Sequence, residues 1–135
     1  MKSLLIVAHG SRRAASNEEV ITLASGLEER LRDQYSTVSV GFLELAEPSI
    51  PMALQACVNQ GAATITVLPY FLSAGRHVFE DLPREVNKFR REKHDVVIDV
   101  LQHVGSMPTM VDLIHQAAVN PSLYQANEAG TNAQS

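Results

Sequence analysis

Two short stretches of this 135-residue chain carry side chains able to move protons or hold a metal. "LLIVAHGSRR" ends an apolar run in His9, Gly10, Ser11, Arg12 and Arg13. "ATITVLPYFLSAGRHVFEDLP" ends another in Gly75, Arg76 and His77, with Phe79, Glu80 and Asp81 just behind. Imidazole changes charge between about pH 5 and 8 and is the commonest metal ligand among side chains. The arginines beside each imidazole are donors suited to carboxylates or phosphates. A third candidate is Glu44, which ends "TVSVGFLEL" between apolar Leu43 and Leu45. Glu47 competes with it, but an acid just before a helix that begins with Pro48 has an ordinary explanation as a cap. Two imidazoles and a carboxylate form a ligand set for Fe, Co, Ni or Zn, and the same groups accept protons. A single strand-end His can simply bond a turn carbonyl. Two of them, each with Gly and Arg beside it, point to chemistry.

The elements that must position these groups follow from periodicity. "SLLIVAH" (3–9), "TVSVGFLEL" (37–45), "ATITVLPY" (63–70) and "DVVIDVL" (95–101) are apolar, β-branched runs that read as buried strands. Between them lie helical patterns. Ser16 with Glu19 forms a capping box before Val20, Leu23, Leu27 and Leu31, predicting a helix over 17–34. Pro48 to Gln60 carries Ile50, Leu54, Cys57 and Val58 on one face and stops at Gly61. Val78 to Arg91 directs Phe79, Leu82, Val86 and Phe89 inward, with Pro83 kinking it or starting a new turn. "SMPTMVDLIHQAA" (106–118) is a fourth helix with Pro108 in its first turn.

Alternating strands and helices predict a three-layer α/β/α half-domain over residues 1–119, doubly wound, with a four-stranded parallel sheet of order 2-1-3-4. Residues 120–135 are polar and aperiodic, and read as a disordered tail. In such a sheet ligands bind beyond the carboxyl ends of the strands where the order reverses, here between strands 1 and 3. His9 and His77 fall there. The other histidines are weaker: His94 lies in the charged turn "RREKHD", His103 has no acidic partner, and His115 sits between apolar residues at a packing position.

A net charge of −4 argues against a nucleic-acid or membrane-surface partner. Nothing resembles a signal peptide or a membrane span, so a cytoplasmic protein is expected. The single cysteine, Cys57, excludes an internal disulfide and reads as a core thiol in a reducing compartment.

In order and spacing, "LLIVAHGSRR", "GFLELAEPSI" and "LPYFLSAGRHVFEDLP" resemble the small CbiX-type chelatases, the sirohydrochlorin cobalto- or ferrochelatase family, from about residue 3 to 118. The resemblance implies insertion of a divalent metal into sirohydrochlorin, an octacarboxylate tetrapyrrole, on the routes to cobalamin or siroheme. It implies cobalt or iron as the metal substrate, with nickel equally acceptable to such ligands, no organic cofactor, and a homodimer. Carried over residue by residue, it makes His9 and His77 metal ligands and proton acceptors assisted by Glu44. Ser11, Arg12 and Arg76 then meet the substrate's carboxylates, while Gly10 and Gly75 allow close approach of a flat ring. Phe71, Leu72 and Phe79 flank the His77 turn as core residues or as packing across a dimer boundary. Two other readings stay open. One is a non-catalytic metal or tetrapyrrole carrier on the same fold. The other is a histidine phosphatase, although Ala8 stands where that enzyme class has its arginine.

Overall fold

Four apolar runs become the parallel strands β1 Lys2–Ala8, β2 Thr37–Phe42, β3 Thr64–Pro69 and β4 Val97–Val100. The computed structural model describes residues 1–93 and 95–126, without the side chain of His77. The sheet order is β2-β1-β3-β4, one of the few that right-handed crossovers between alternating strands and helices allow. Register runs level along the sheet: Ile6 pairs with Val40 on one side and Leu68 on the other, and Ile65 with Ile98. Side chains alternate between faces. Leu5, Val7, Ile65, Val67 and Ile98 enter one core beneath α2 (Ile50–Asn59) and α3 (Arg76–Glu92). Leu4, Ile6, Val38, Val40 and Phe42 enter the other, beneath α1 (Ala14–Arg30).

Helix boundaries depart from expectation in instructive places. α1 starts at Ala14, so Ser16 lies inside it and donates its backbone N–H to the Arg13 carbonyl; no capping box forms. α2 is capped by Ser49, whose hydroxyl accepts from the Met52 N–H, which relieves Glu47 of that role. Gly61 follows the end of α2 at φ +98°. α3 begins two residues early, at Arg76, and runs through Pro83. Pro83 sits on the exposed side, where water can bond the carbonyl that loses its partner. Leu82, Val86 and Phe89 are buried as predicted, but Phe79 is 67% exposed and faces solvent. It lies three residues before Leu82, and the start of α3 at the sheet's edge leaves no layer above it.

α4 (Thr109–Val119) follows a 3-10 turn at Val104–Ser106 and buries none of its residues, so His115 is exposed and not a packing position. A further 3-10 turn spans Pro121–Leu123. The expected tail otherwise reaches residues 127–135, which with His94 lie outside the described residues. No helix among the described residues is long and apolar enough to cross a membrane.

Candidate functional site

The carboxyl ends of β2, β1 and β3 lie side by side, with Ala8 paired to Phe42 and Val7 to Pro69. Three loops therefore leave one edge of the sheet together: His9–Arg13, Leu43–Ser49 and Tyr70–Gly75. The first two stay in contact beyond the strands. The Leu43 N–H donates to the Ala8 carbonyl (3.0 Å), and the Glu44 N–H donates to the His9 carbonyl (3.1 Å). Gly10 then turns away at φ +96°, a conformation that disfavours any side chain.

That pairing delivers Glu44 to His9. The two side chains meet at 3.1 Å, Nε2 to Oε1, and both are about half exposed, at 52% and 58%. An ionised carboxylate only accepts hydrogen bonds, so in this arrangement Nε2 is the donor, and the neutral imidazole then has its lone pair on Nδ1. Immediately after Glu44, Leu45 takes a left-handed φ of 65°, reversing the chain. On the β3 side, the Phe71 ring stands edge-on to the imidazole at 6.5 Å and 90°. Phe71 is itself packed against the larger core, so it is a fixed wall for His9.

Asn17 supports this loop from the first turn of α1. Its Oδ1 accepts from the Ser11 N–H (3.0 Å), and its Nδ2 donates to the Ser11 carbonyl (2.8 Å). The Ser11 hydroxyl in turn accepts from the Arg13 N–H at 3.0 Å. Sequence reasoning missed Asn17. The available signal was an amide six residues after Ser11, close enough for both backbone groups of that one residue to be bonded across a helix start. A cleft of about 220 Å3 opens here, lined by His9, Gly10, Ser11, Asn17, Phe42 and Tyr70. It is smaller than the roughly 300–1,000 Å3 of sites that enclose a small-molecule ligand.

The other expected site residues are distributed around this edge. Arg12 is exposed on the His9 loop. Arg76 is exposed at the start of α3, with its Nε 4.0 Å from Glu80 Oε1 in an i,i+4 ion pair. Gly75 precedes α3 at φ −77° with open space where a β-carbon would stand, so the steric necessity seen at Gly10 does not apply to it. His77 is the second residue of α3, six positions beyond Phe71. Glu47 is exposed and forms no hydrogen bond or ion pair among the described residues. Among the described residues no group of three or more His, Cys, Asp or Glu side chains lies close enough to hold a metal ion. Cys57 is buried far down α2, and desolvation raises its thiol pKa, with hydrogen bonds from Ser39 and Ser3 opposing the shift.

The family model described as CbiX matches residues 3–120. The chain belongs to the CbiX family. Among curated proteins it is similar to the sirohydrochlorin cobaltochelatase of Methanocaldococcus jannaschii, with 40% identity over 62% of this chain and 57% of that protein. It also resembles the sirohydrochlorin cobaltochelatase of Sulfolobus acidocaldarius, with 33% identity over 87% and 90% of the two chains. Among solved structures it resembles SirB from Bacillus subtilis with Fe3+, at TM-score 0.77 and 27% identity, covering 93% of this chain and 49% of that one. The match therefore spans little more than half of the Methanocaldococcus protein and about half of SirB. The HGSR and FLE stretches of the sequence are the ones that the fold brings together as His9 and Glu44.

Proposed function

We propose that this chain inserts a divalent metal, cobalt or iron, into sirohydrochlorin, with His9, Glu44 and His77 at the metal and the pyrrole protons. The contact of His9 with Glu44 at 3.1 Å carries the reading. That separation suits a hydrogen bond, and it equally suits two ligands each about 2.1 Å from one ion. A metal between them takes the place of the bridging proton, which leaves Nε2 for Nδ1 or for water, without any movement of the backbone.

Insertion releases two pyrrole protons for each divalent ion taken up, so the site needs a base as well as a ligand. The lone pair at His9 Nδ1 can take one proton, and Glu44 stabilises the imidazolium that results. His77 is assigned the partner role on the β3 side. Imidazole and carboxylate hold such ions less tightly than thiolates, which suits an ion that must be handed on. Ser11, Arg12 and Arg76 are assigned to the carboxylates of the macrocycle, and Gly10 and Gly75 to its flat approach. No organic cofactor is needed. Nickel would suit the same ligands, and two copies facing each other across the open cleft would enclose a ring that one chain leaves bare. A cytoplasmic reaction fits a chain whose single cysteine is a buried free thiol.

The test is anaerobic incubation with sirohydrochlorin and cobalt or ferrous iron, following the absorbance change of insertion. Metallation well above the uncatalysed rate without nucleotide is expected, with His9→Ala and His77→Ala each losing most of it while remaining folded. Rates equal to the enzyme-free control would overturn catalysis and leave a carrier.

A further inference from the structure

The His9 imidazole is touched from both sides. From the β2 exit Glu44 bonds it at 3.1 Å, and from the β3 exit the Phe71 ring stands edge-on at 6.5 Å. The next residue in each loop is a leucine that stands in water: Leu45 is 53% exposed and Leu72 73%. Neither backbone is slack. At φ 65°, Leu45 is the only residue other than glycine with a positive φ among the described residues. That region is unfavourable for a residue with a β-carbon, and Gly or Asn enters it more easily. Just before it, the Glu44 N–H is held by the His9 carbonyl. Leu72 is pinned by the turn after β4. The Gly105 N–H donates to the Phe71 carbonyl at 2.9 Å, and a β-carbon at Gly105 would lie 1.6 Å from the Leu72 carbonyl oxygen and 2.7 Å from its α-carbon.

Folding accounts for neither leucine. Neither side chain joins either core, and an exposed leucine at an unfavourable φ stabilises nothing. One exposed leucine is ordinary; two that bracket a single imidazole, on loops fixed in place, call for a ligand.

We propose that Leu45 and Leu72 are positioning residues that hold the apolar body of the macrocycle on either side of the His9–Glu44 pair. The loops that carry them leave β2 and β3, the strands flanking β1, so about 10 Å separates the strand ends, a span that a tetrapyrrole core can bridge. Exposed Arg12 and Arg13 lie on the His9 loop and exposed Arg76 at the head of α3. An apolar centre with guanidinium groups around it complements a flat ring edged with carboxylates. Contact with both leucines keeps the ring nitrogens over His9 and Glu44 whichever carboxylates are engaged. The proposal rests on the insertion reading above and names the residues that meet the ring itself.

Equilibrium titration with metal-free sirohydrochlorin, read by its fluorescence, tests this beside the metallation assay. Leu45→Gly and Leu72→Ser should each weaken ring binding roughly tenfold, the lower end of the effect of one apolar group in a pocket. The loss in metallation should fall in KM and not in kcat, and Leu45→Met should restore affinity. The parent-to-variant ratio should persist at high salt, because apolar contact is not screened. In urea the Leu45→Gly midpoint should hold or rise, since glycine accepts φ 65° freely, and its binding of cobalt alone should match the parent. A parent chain that binds the ring no better than both variants would overturn the proposal and leave the insertion reading standing. Loss of cobalt binding in Leu45→Gly would also overturn it, by showing that the turn serves only to place Glu44. A Leu72→Ser chain that keeps its ring affinity but halves its mass in light scattering would transfer Leu72 to a contact between copies. A parent that neither binds nor metallates the ring would overturn both readings.

Discussion

Gly10 abuts Glu44 so closely that a β-carbon at residue 10 would lie 1.8 Å from the Glu44 carbonyl oxygen. The backbone of the His9 loop and that of the β2 exit are therefore in direct contact, and the His9–Glu44 pair depends on it. Gly10→Ala must either move the Glu44 turn or abandon φ +96°. It should cost about 1–3 kcal/mol in urea unfolding, the range for backbone forced into an unfavourable region. Metallation should fall with it, because Glu44 leaves His9. An active, undestabilised alanine variant would show that the contact is dispensable.

Glu44→Gln keeps the shape and removes the charge. The amide cannot serve as an anionic ligand or stabilise imidazolium, so metallation should drop by a factor of ten or more, with stability changed by under about 1 kcal/mol for so exposed a pair. Glu47→Gln should leave the rate near that of the parent chain. Reversal of these two outcomes in parallel steady-state assays would transfer the role to Glu47.

Asn17 holds Ser11 through both ends of its amide. Asn17→Ala should cost about 1–3 kcal/mol for two hydrogen bonds lost in a half-buried site. Its effect on catalysis should appear mainly in KM if the loop orients substrate, and in kcat if it orients His9. Asn17→Asp keeps the acceptor for the Ser11 N–H and should recover part of the loss. A variant altered in stability but in neither kinetic parameter would confine Asn17 to folding.

Burial raises the Cys57 thiol pKa above its ordinary value. A group whose folded pKa is raised contributes stability that is complete below its unfolded pKa and is lost as pH climbs toward the folded value. Unfolding free energy should therefore be steady near pH 7, as far as this residue is concerned, and decline above about pH 8.5. Cys57→Ala should flatten that decline. Alkylation by iodoacetamide at pH 8 should be slow until urea unfolds the chain, and rapid labelling of the native protein would contradict the burial.

The strand runs and their order were legible because the information is local. A continuous β-branched run demands cover on both faces, and alternation with helices leaves few right-handed arrangements. Leu82, Val86 and Phe89 were legible for the same reason, since each is buried by the helical period itself. Phe79 obeys that period and is still exposed, because periodicity selects a side of the helix and cannot say where the layer above it ends. The Ser16 cap failed similarly: Asn17 bonds Ser11 and α1 starts earlier, a contact between the helix and the loop before it.

By itself, then, the sequence determined that this chain makes a doubly wound parallel sheet with His9 at the carboxyl edge of its first strand and His77 just after its third, beside arginines. Tertiary structure alone decided that Glu44 faces His9, that Gly10 must be glycine, and that α4 stands away from the sheet. The reason is physical. Strand and helix periods are written in neighbouring residues, whereas a contact across 35 positions, such as His9 with Glu44, exists only once β1 and β2 are paired in register.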